Sequence, residues 1–386
     1  MKAWIDNIFP SHVEMLKELA AIPAPSHDEG RRAKRILELL KIMGVDAHID
    51  SAGNVLAPFG CDGRDDITVF SAHTDVVFPD TEPLPVREEN GLLYAPGVGD
   101  DTANFAAMLT IIRYLKENSL VPIDPVLFVF NTCEEGLGNL KGTRRLFSDY
   151  AGRIKALVSF DCAFEEGMIV KAVGSERWRV TCRAQGGHSY MDFGNSNAIH
   201  RMAELVSELY RQQIPDTNGC RATYNVGTIE GGTSVNTIAE SCSVLYEYRS
   251  DDRGALEALR GQFEELLKKH ESEDARFESE LIGERPCGSG VDPSKQRELI
   301  DACAEEIAGV LGKKPEENTG STDANIPLSL GVPAVTFGLY SGGGMHTRGE
   351  WLDIASLKSG LLMGLRLVTK HFTRYGVIHF NSRRGF

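Results

Sequence analysis

No run of this sequence approaches 18 consecutive apolar residues, which excludes a transmembrane helix. The opening stretch Met1-Lys2-Ala3-Trp4-Ile5-Asp6-Asn7 lacks the long apolar segment of a secretion signal. Positive charge is scarce as well. Lys and Arg number 41 against 55 Asp and Glu, a formal net charge of −14, so the basic patch that neutralises phosphates is missing and nucleic acid is excluded as a partner. The eight cysteines are scattered, with no C-x-x-C pair and no dense framework, which in a chain of 386 residues points to a reducing compartment. A cytoplasmic location away from the membrane is therefore expected. Cys133 and Cys162 adjoin acidic residues, but a small buried hydrophobe is the plainer role for each. Internal repeats and low-complexity stretches are absent too.

What is present is ordinary globular composition, 42% hydrophobic and 25% charged. A chain of this length buries roughly three quarters of its unfolded surface and is expected to form two or three domains. Apolar positions recur at helical spacing over 11–22 and 30–43, with Gly44 closing the second run. Short apolar strands are predicted at 67–70, 126–130, 156–160 and 332–337, with a helix over 104–118. Continuous apolar strands alternating with helices predict an α/β fold, a mostly parallel sheet with helices on both faces.

The middle of the chain has a different texture. Trp178, Val180, Cys182 and Ala184 alternate with Arg177, Arg179, Thr181 and Arg183; Cys242, Val244, Tyr246 and Tyr248 alternate with Ser243, Glu247 and Arg249. Period-two alternation marks half-exposed antiparallel strands. With helical stretches near 198–212 and 254–270, the order is strand, helix, strand, strand, helix, strand, a ferredoxin-like α+β unit. The expected organisation is a discontinuous catalytic domain, 1–174 and 284–386, interrupted by an inserted domain, 175–283.

Five features carry chemistry. His73-Thr74-Asp75 follows the 67–70 strand; the imidazole can ligate a metal while the carboxylate orients it, although a plain strand-end His fits equally. Gly97-Val98-Gly99-Asp100-Asp101-Thr102 brings two acids into one glycine-rich turn ahead of a helix, where acids also complement the helix dipole. Glu134-Glu135 follows a very apolar strand, where ionised carboxylates are costly unless paired or metal-bound. Asp161 repeats that placement, and His346 follows Gly342-Gly343-Gly344-Met345. Each feature alone has a bland explanation. Together they place two His and three carboxylates around one sheet edge, where sites of open α/β sheets assemble, and suit two divalent ions sharing a carboxylate. Glu134 is left over as an acid–base candidate.

These residues, in this order and with the inserted domain, resemble the family of co-catalytic zinc hydrolases. It includes peptidase T, glutamate carboxypeptidase, acetylornithine deacetylase and succinyl-diaminopimelate desuccinylase. Gly231-Gly232-Thr233-Ser234-Val235-Asn236 and Gly320-Ser321-Thr322-Asp323-Ala324-Asn325 are most similar to the peptidase T branch. The resemblance implies that Asp100 bridges two metal ions, with a cis peptide to Asp101. One ion would also take His73 and Asp161, the other Glu135 and His346. Asp75 would orient His73, and Glu134 would move a proton from the metal-held water to the leaving amine. The ions implied are zinc, with manganese or cobalt as alternatives. The inserted domain would act as lid and homodimer surface, with His188 reaching a partner's site and Asn236 and Arg249 holding substrate; a surface-loop His188 and a solvated Arg249 are the bland alternatives. Thr102 stands where the family carries Lys, and Arg348 offers a further anion contact.

The activity implied is hydrolysis of short peptides by an aminopeptidase of the peptidase T kind. An N-acyl amino-acid deacylase or carboxypeptidase would use the same centre. A non-catalytic peptide- or metabolite-binding relative and a di-metal phosphoesterase are the readings from other classes; the intact Glu134 argues against the former.

Overall fold

A computed structural model describes residues 1–216, 219–288 and 290–374. In chain order its main elements are α1 (Lys2–Ala20), α2 (Gly30–Ile42), β1 (His48–Ile49), β2 (Val55–Phe59), β3 (Ile67–His73), α3 (Asn104–Glu117), β4 (Val126–Asn131), β5 (Ile154–Phe160) and β6 (Met168–Ala172). Then come β7 (Gly174–Ala184), α4 (Ala198–Leu209), β8 (Ala222–Gly231), β9 (Ser241–Ser250), α5 (Arg253–His270) and β10 (Ala275–Arg285). The last elements are α6 (Pro293–Leu311), β11 (Glu317–Gly320), β12 (Ala334–Phe337) and α7 (Leu357–Val368).

Two compact units result. The first joins Met1–Ala172 to the chain from Gly290 onward, and the second starts at Val173. The breaks fall at 172/173 and 289/290 rather than at 174/175 and 283/284. Hydrogen bonding accounts for the later exit: β10 pairs as far as Arg285, and Cys287 Sγ then donates to Ser250 O at 2.9 Å.

The first unit is built on an eight-stranded sheet in the order β1-β2-β4-β3-β5-β12-β6-β11. Its centre is parallel, with β3 between β4 and β5 and β12 beside β5. Alternate side chains of these strands enter two separate cores. Phe70, Phe128, Phe130, Val158 and Phe160 pack with helices α1, α2, α3 and α7, while Val69, Leu127, Val129 and Leu157 pack with Leu146, Phe147, Ile326 and Leu328. Both faces are thus covered, which is why these strands read as unbroken apolar runs.

The second unit is an antiparallel sheet ordered β8-β9-β7-β10, the strand order of a ferredoxin-like unit, with α4 and α5 closing over Val180, Cys182, Val244, Tyr246 and Tyr248. Helix α1 begins nine residues before the predicted start at residue 11 and runs through Pro10. Proline forfeits one helical N–H bond there, yet Ile5, Ile8, Val13 and Leu16 continue one buried stripe across it. No helix among the described residues is long and apolar enough to cross a membrane.

Candidate metal centre

The C-terminal edge of the parallel strands gathers the acids and histidines. His73 is the last residue of β3 and is 1% exposed. Its Nδ1 lies 3.1 Å from Asp75 O. A carbonyl only accepts, so Nδ1 carries a proton, and Nε2 faces Asp100 Oδ1, 3.0 Å away. Burial opposes a charge on the ring, but Asp101 and Asp100 outweigh it and hold His73 well above the usual imidazole range. Asp161, which follows β5, places Oδ1 4.0 Å from the same nitrogen.

Asp100 occupies a tight turn opened by Gly97 at φ +70, and its peptide bond to Asp101 is cis. Its second oxygen, Oδ2, lies 3.0 Å from His346 Nε2. That nitrogen is also 3.0 Å from Glu135 Oε1. One carboxylate therefore meets two imidazoles, one on each oxygen. Glu134 and Glu135 follow β4 and are held by their backbones: Asp75 Oδ1 accepts from Glu134 N at 3.0 Å and Asp75 Oδ2 from Glu135 N at 2.9 Å.

The electrostatics are those of crowded acids. Burial pushes Glu135 up to about 7, and burial followed by the charges of Asp100 and Glu134 raises Asp161. Hydrogen bonds to Asp100 and Glu135 raise His346 to about 11. Ionised carboxylates this deep call for cationic partners. The donors satisfy that need in overlapping groups, each within 4.8 Å: His73, Asp100, Asp101 and Asp161; His73, Glu134 and Glu135; and Asp100, Glu135 and His346. Two nitrogen-and-oxygen sites sharing Asp100 fit two divalent cations.

The remaining sequence candidates lie elsewhere. His188, Asn236 and Arg249 belong to the second unit. His188 is exposed and its Nδ1 accepts from the backbone N–H groups of Tyr190 and Met191, each at 3.3 Å. Ser189 N donates to Asn236 O at 3.0 Å, tying the His188 and Asn236 loops together. Arg249, on β9, bonds Glu247 at 3.0 and 3.2 Å. Arg348 is not a free anion contact: its guanidinium grips Asp80 at 3.1 and 2.7 Å and lies 5.2 Å over the Phe78 ring. Thr102, at the departing position, donates its hydroxyl to Gly97 O and closes the Asp100 turn.

Three further buried acids support the site, of which Asp101 was read from sequence only as the second acid of the Asp100 turn. Asp101 accepts from His73 N at 2.8 Å and from Asn104 Nδ2 at 2.6 Å. Asp323 takes Asn131 Nδ2 at 2.5 Å and the Thr143 hydroxyl, and burial followed by the charge of Glu134 raises it to about 7. Glu350 accepts three backbone N–H groups from residues 97–100. Asp101 had a signal in the acid pair of its turn and Asp323 in the 320–325 stretch; Glu350 had none.

Comparison with known proteins identifies the family. A family model described as Peptidase family M20/M25/M40 matches residues 69–370. A putative succinyl-diaminopimelate desuccinylase of Mycobacterium tuberculosis is 26% identical over 360 residues, spanning 90% of this chain and 95% of that protein. The structure of aminopeptidase PepT from Bacillus cereus superposes with a TM-score of 0.72 at 21% identity, covering 93% of this chain and 98% of that one. A tripeptidase from Staphylococcus aureus gives 0.75 at 20% identity, covering 94% and 98%. At these identities the structural likeness is one of fold.

Proposed function

This chain belongs to peptidase family M20/M25/M40, enzymes that hydrolyse amide bonds with metal ions, and we propose that it is an exopeptidase of the peptidase T kind, an aminopeptidase acting on short peptides. The observation that carries the chemistry is Asp100, whose two oxygens face His73 Nε2 and His346 Nε2 at 3.0 Å each.

On this reading Asp100, His73 and Asp161 would hold one ion, and Asp100, Glu135 and His346 the other. Nitrogen and carboxylate donors suit zinc, and also manganese or cobalt. The ions, when bound, polarise the scissile carbonyl and bring the pKa of water down towards about 7. Asp75 holds His73 in the tautomer that leaves Nε2 unprotonated. Glu134, its backbone fastened by Asp75, takes a proton from the attacking water and delivers it to the amide nitrogen as the C–N bond breaks. Water's oxygen ends on the new carboxylate and its proton on the new amine.

The second unit supplies substrate contacts through His188, Asn236 and Arg249, Arg249 meeting a carboxylate by its guanidinium fork. A homodimer formed through that unit is supported by apolar side chains bare beside two of these residues: Tyr190, Met191 and Phe193 near His188, and Val235 beside Asn236. The compartment is the cytoplasm.

A second reading, an N-acyl amino-acid deacylase, is favoured by the 26% identity to a protein named as a desuccinylase. A panel of tripeptides, dipeptides, N-acetyl amino acids and N-succinyl-diaminopimelate, offered to zinc-loaded protein, separates the two. Fastest turnover is expected on tripeptides, with release of the N-terminal residue. Turnover of N-acyl amino acids without cleavage of tripeptides overturns the exopeptidase.

A further inference from the structure

Glu350 is 1% exposed, yet its carboxylate meets backbone rather than a basic side chain: Oε2 accepts from Gly97 N, and Oε1 from both Gly99 N and Asp100 N, all at 2.8 Å. These three donors belong to the turn that presents Asp100. Glu350 itself belongs to the loop that presents His346. That loop is closed at its base by pairing of Gly343 with Trp351 and narrowed by Thr347 N to Gly344 O and Glu350 N to Thr347 O, at 3.1 and 3.2 Å. His346 and Glu350 are therefore two projections of one short closed segment. Tyr340 also packs on the Asp100 turn, its ring leaving no room for a Cβ at Gly99.

From this geometry, and resting on the dinuclear reading above, we propose that Glu350 is a positioning residue that sets Asp100 against His346 and so fixes the separation of the two ion sites. The reasoning is geometric. Three N–H donors converging on one carboxylate define its place from three directions, and hydrogen bonds to a charged acceptor are about twice as strong as neutral ones. Asp100 can bridge only if its Oδ2 keeps its present relation to His346, and the two loops lie some 250 residues apart in sequence. Pairing of Trp351 with Tyr94 and of Leu352 with Leu93 brings the two segments side by side, and Glu350 is the side chain that reaches from there to the amides of the turn itself. A glutamine at position 350 keeps an oxygen for two of the donors but turns an NH2 group towards the third and removes the charge.

The test compares wild type with Glu350→Gln by titrating metal-free protein with Co(II), reading the visible spectrum and chelator competition. For Glu350→Gln the expected result is a melting curve of normal cooperativity and a first equivalent bound as in wild type. The second equivalent should be weakened about 10–100-fold, with an altered spectrum and a fall in kcat at unchanged KM. In an Asp100→Asn background, Glu350→Gln should add less than a further twofold, because the bridge it serves is already lost. Two wild-type affinities and an unchanged spectrum overturn the proposal, as does a full additional loss on top of Asp100→Asn.

If Glu350→Gln does not fold, Glu350→Asp takes its place: it keeps the charge but is one methylene short, so the same weakening of the second equivalent is expected and wild-type binding overturns the proposal. Amide hydrogen exchange of metal-free protein keeps the two readings separable. Faster exchange at Gly97, Gly99 and Asp100 in the variant supports the tie even if wild type takes fewer than two ions, a result that would sink only the dinuclear reading. Unchanged exchange at all three amides overturns the tie.

Discussion

Asp75 Oδ2 accepts the backbone N–H of Glu135 at 2.9 Å, so an acid beyond one parallel strand holds an acid beyond its neighbour. The same carboxylate takes Glu134 N at 3.0 Å and the Ser26 hydroxyl at 2.6 Å, and stands 3.4 Å from His73 Nδ1. Burial opposes its ionisation, but His73, Ser26 and the Glu135 amide outweigh that and hold it below the usual carboxylate range. Asp75 thus does more than orient one imidazole. It sets the spacing between His73 and the Glu134–Glu135 pair.

Replacing Asp75 with Asn should therefore harm two things together. An amide must turn an NH2 group towards His73 Nδ1–H or towards one of the two backbone donors, leaving a buried donor unpaired. We expect kcat/KM to fall about 10–100-fold and metal affinity to fall in step, measured by steady-state kinetics and chelator competition. Lost activity at wild-type metal affinity would refute the double role.

Glu134→Gln keeps the size of the side chain and removes its basicity. Positioned acid–base groups contribute about 10²–10⁴-fold, and kcat is expected to fall by that much while two equivalents of metal remain bound. Elemental analysis of the same preparation used for kinetics gives both numbers. Undiminished turnover would remove Glu134 from its assigned role.

Chelation should destabilise as well as inactivate. A ligand at 100 times its Kd stabilises the folded state by about 2.7 kcal/mol per site, and loss of both ions exposes the buried acids to mutual repulsion. The melting temperature should fall on chelation and recover, with activity, when zinc is restored. An unchanged melting temperature in stripped, inactive protein would argue that the centre is balanced without cations.

A fourth expectation lies far from the site. His12 on α1 is buried, its Nδ1 2.9 Å from the Thr110 hydroxyl on α3, and burial lowers its pKa to about 4. The folded state thus demands a neutral imidazole, while the unfolded chain titrates near about 6.5. Stability from this residue is intact above pH 6.5 and is lost as pH falls towards 4, by about 3 kcal/mol in all. Urea unfolding of wild type and His12→Gln at pH 7 and pH 4.5 should show a smaller acid loss in the variant. Equal losses would refute the assignment.

Much of the site was legible because its acids follow strands with no polar residue to spare. Asp161 directly follows its strand, and Glu134 and Glu135 stand within a few residues of the run Val-Leu-Phe-Val-Phe, where a charged group has no cheap explanation. The parallel core was legible for the same reason, since strands buried on both faces read as continuous apolar runs. Glu350 was not legible, because its partners are backbone amides some 250 residues away and a lone Glu in a polar loop carries no mark. Arg348 misled in the same manner: a guanidinium near His346 suggests an anion site, and its partner Asp80 is 268 residues distant. The start of α1 was hidden by Pro10, whose local penalty is outweighed by core contacts on either side.

The order of strands in the eight-stranded sheet has a consequence for biosynthesis. Strand β12, which pairs with β5, emerges only after the whole second unit has been made, so the flank of β5 stays open over residues 161–333. At translation speeds of about 5–20 residues per second, that interval lasts on the order of ten seconds or more. Throughout it the growing chain presents an apolar, unpaired strand edge, the kind of surface that chaperones bind and that aggregates form on. His346 arrives later still. The nascent chain thus lacks a complete set of metal donors until nearly all of it has been synthesised.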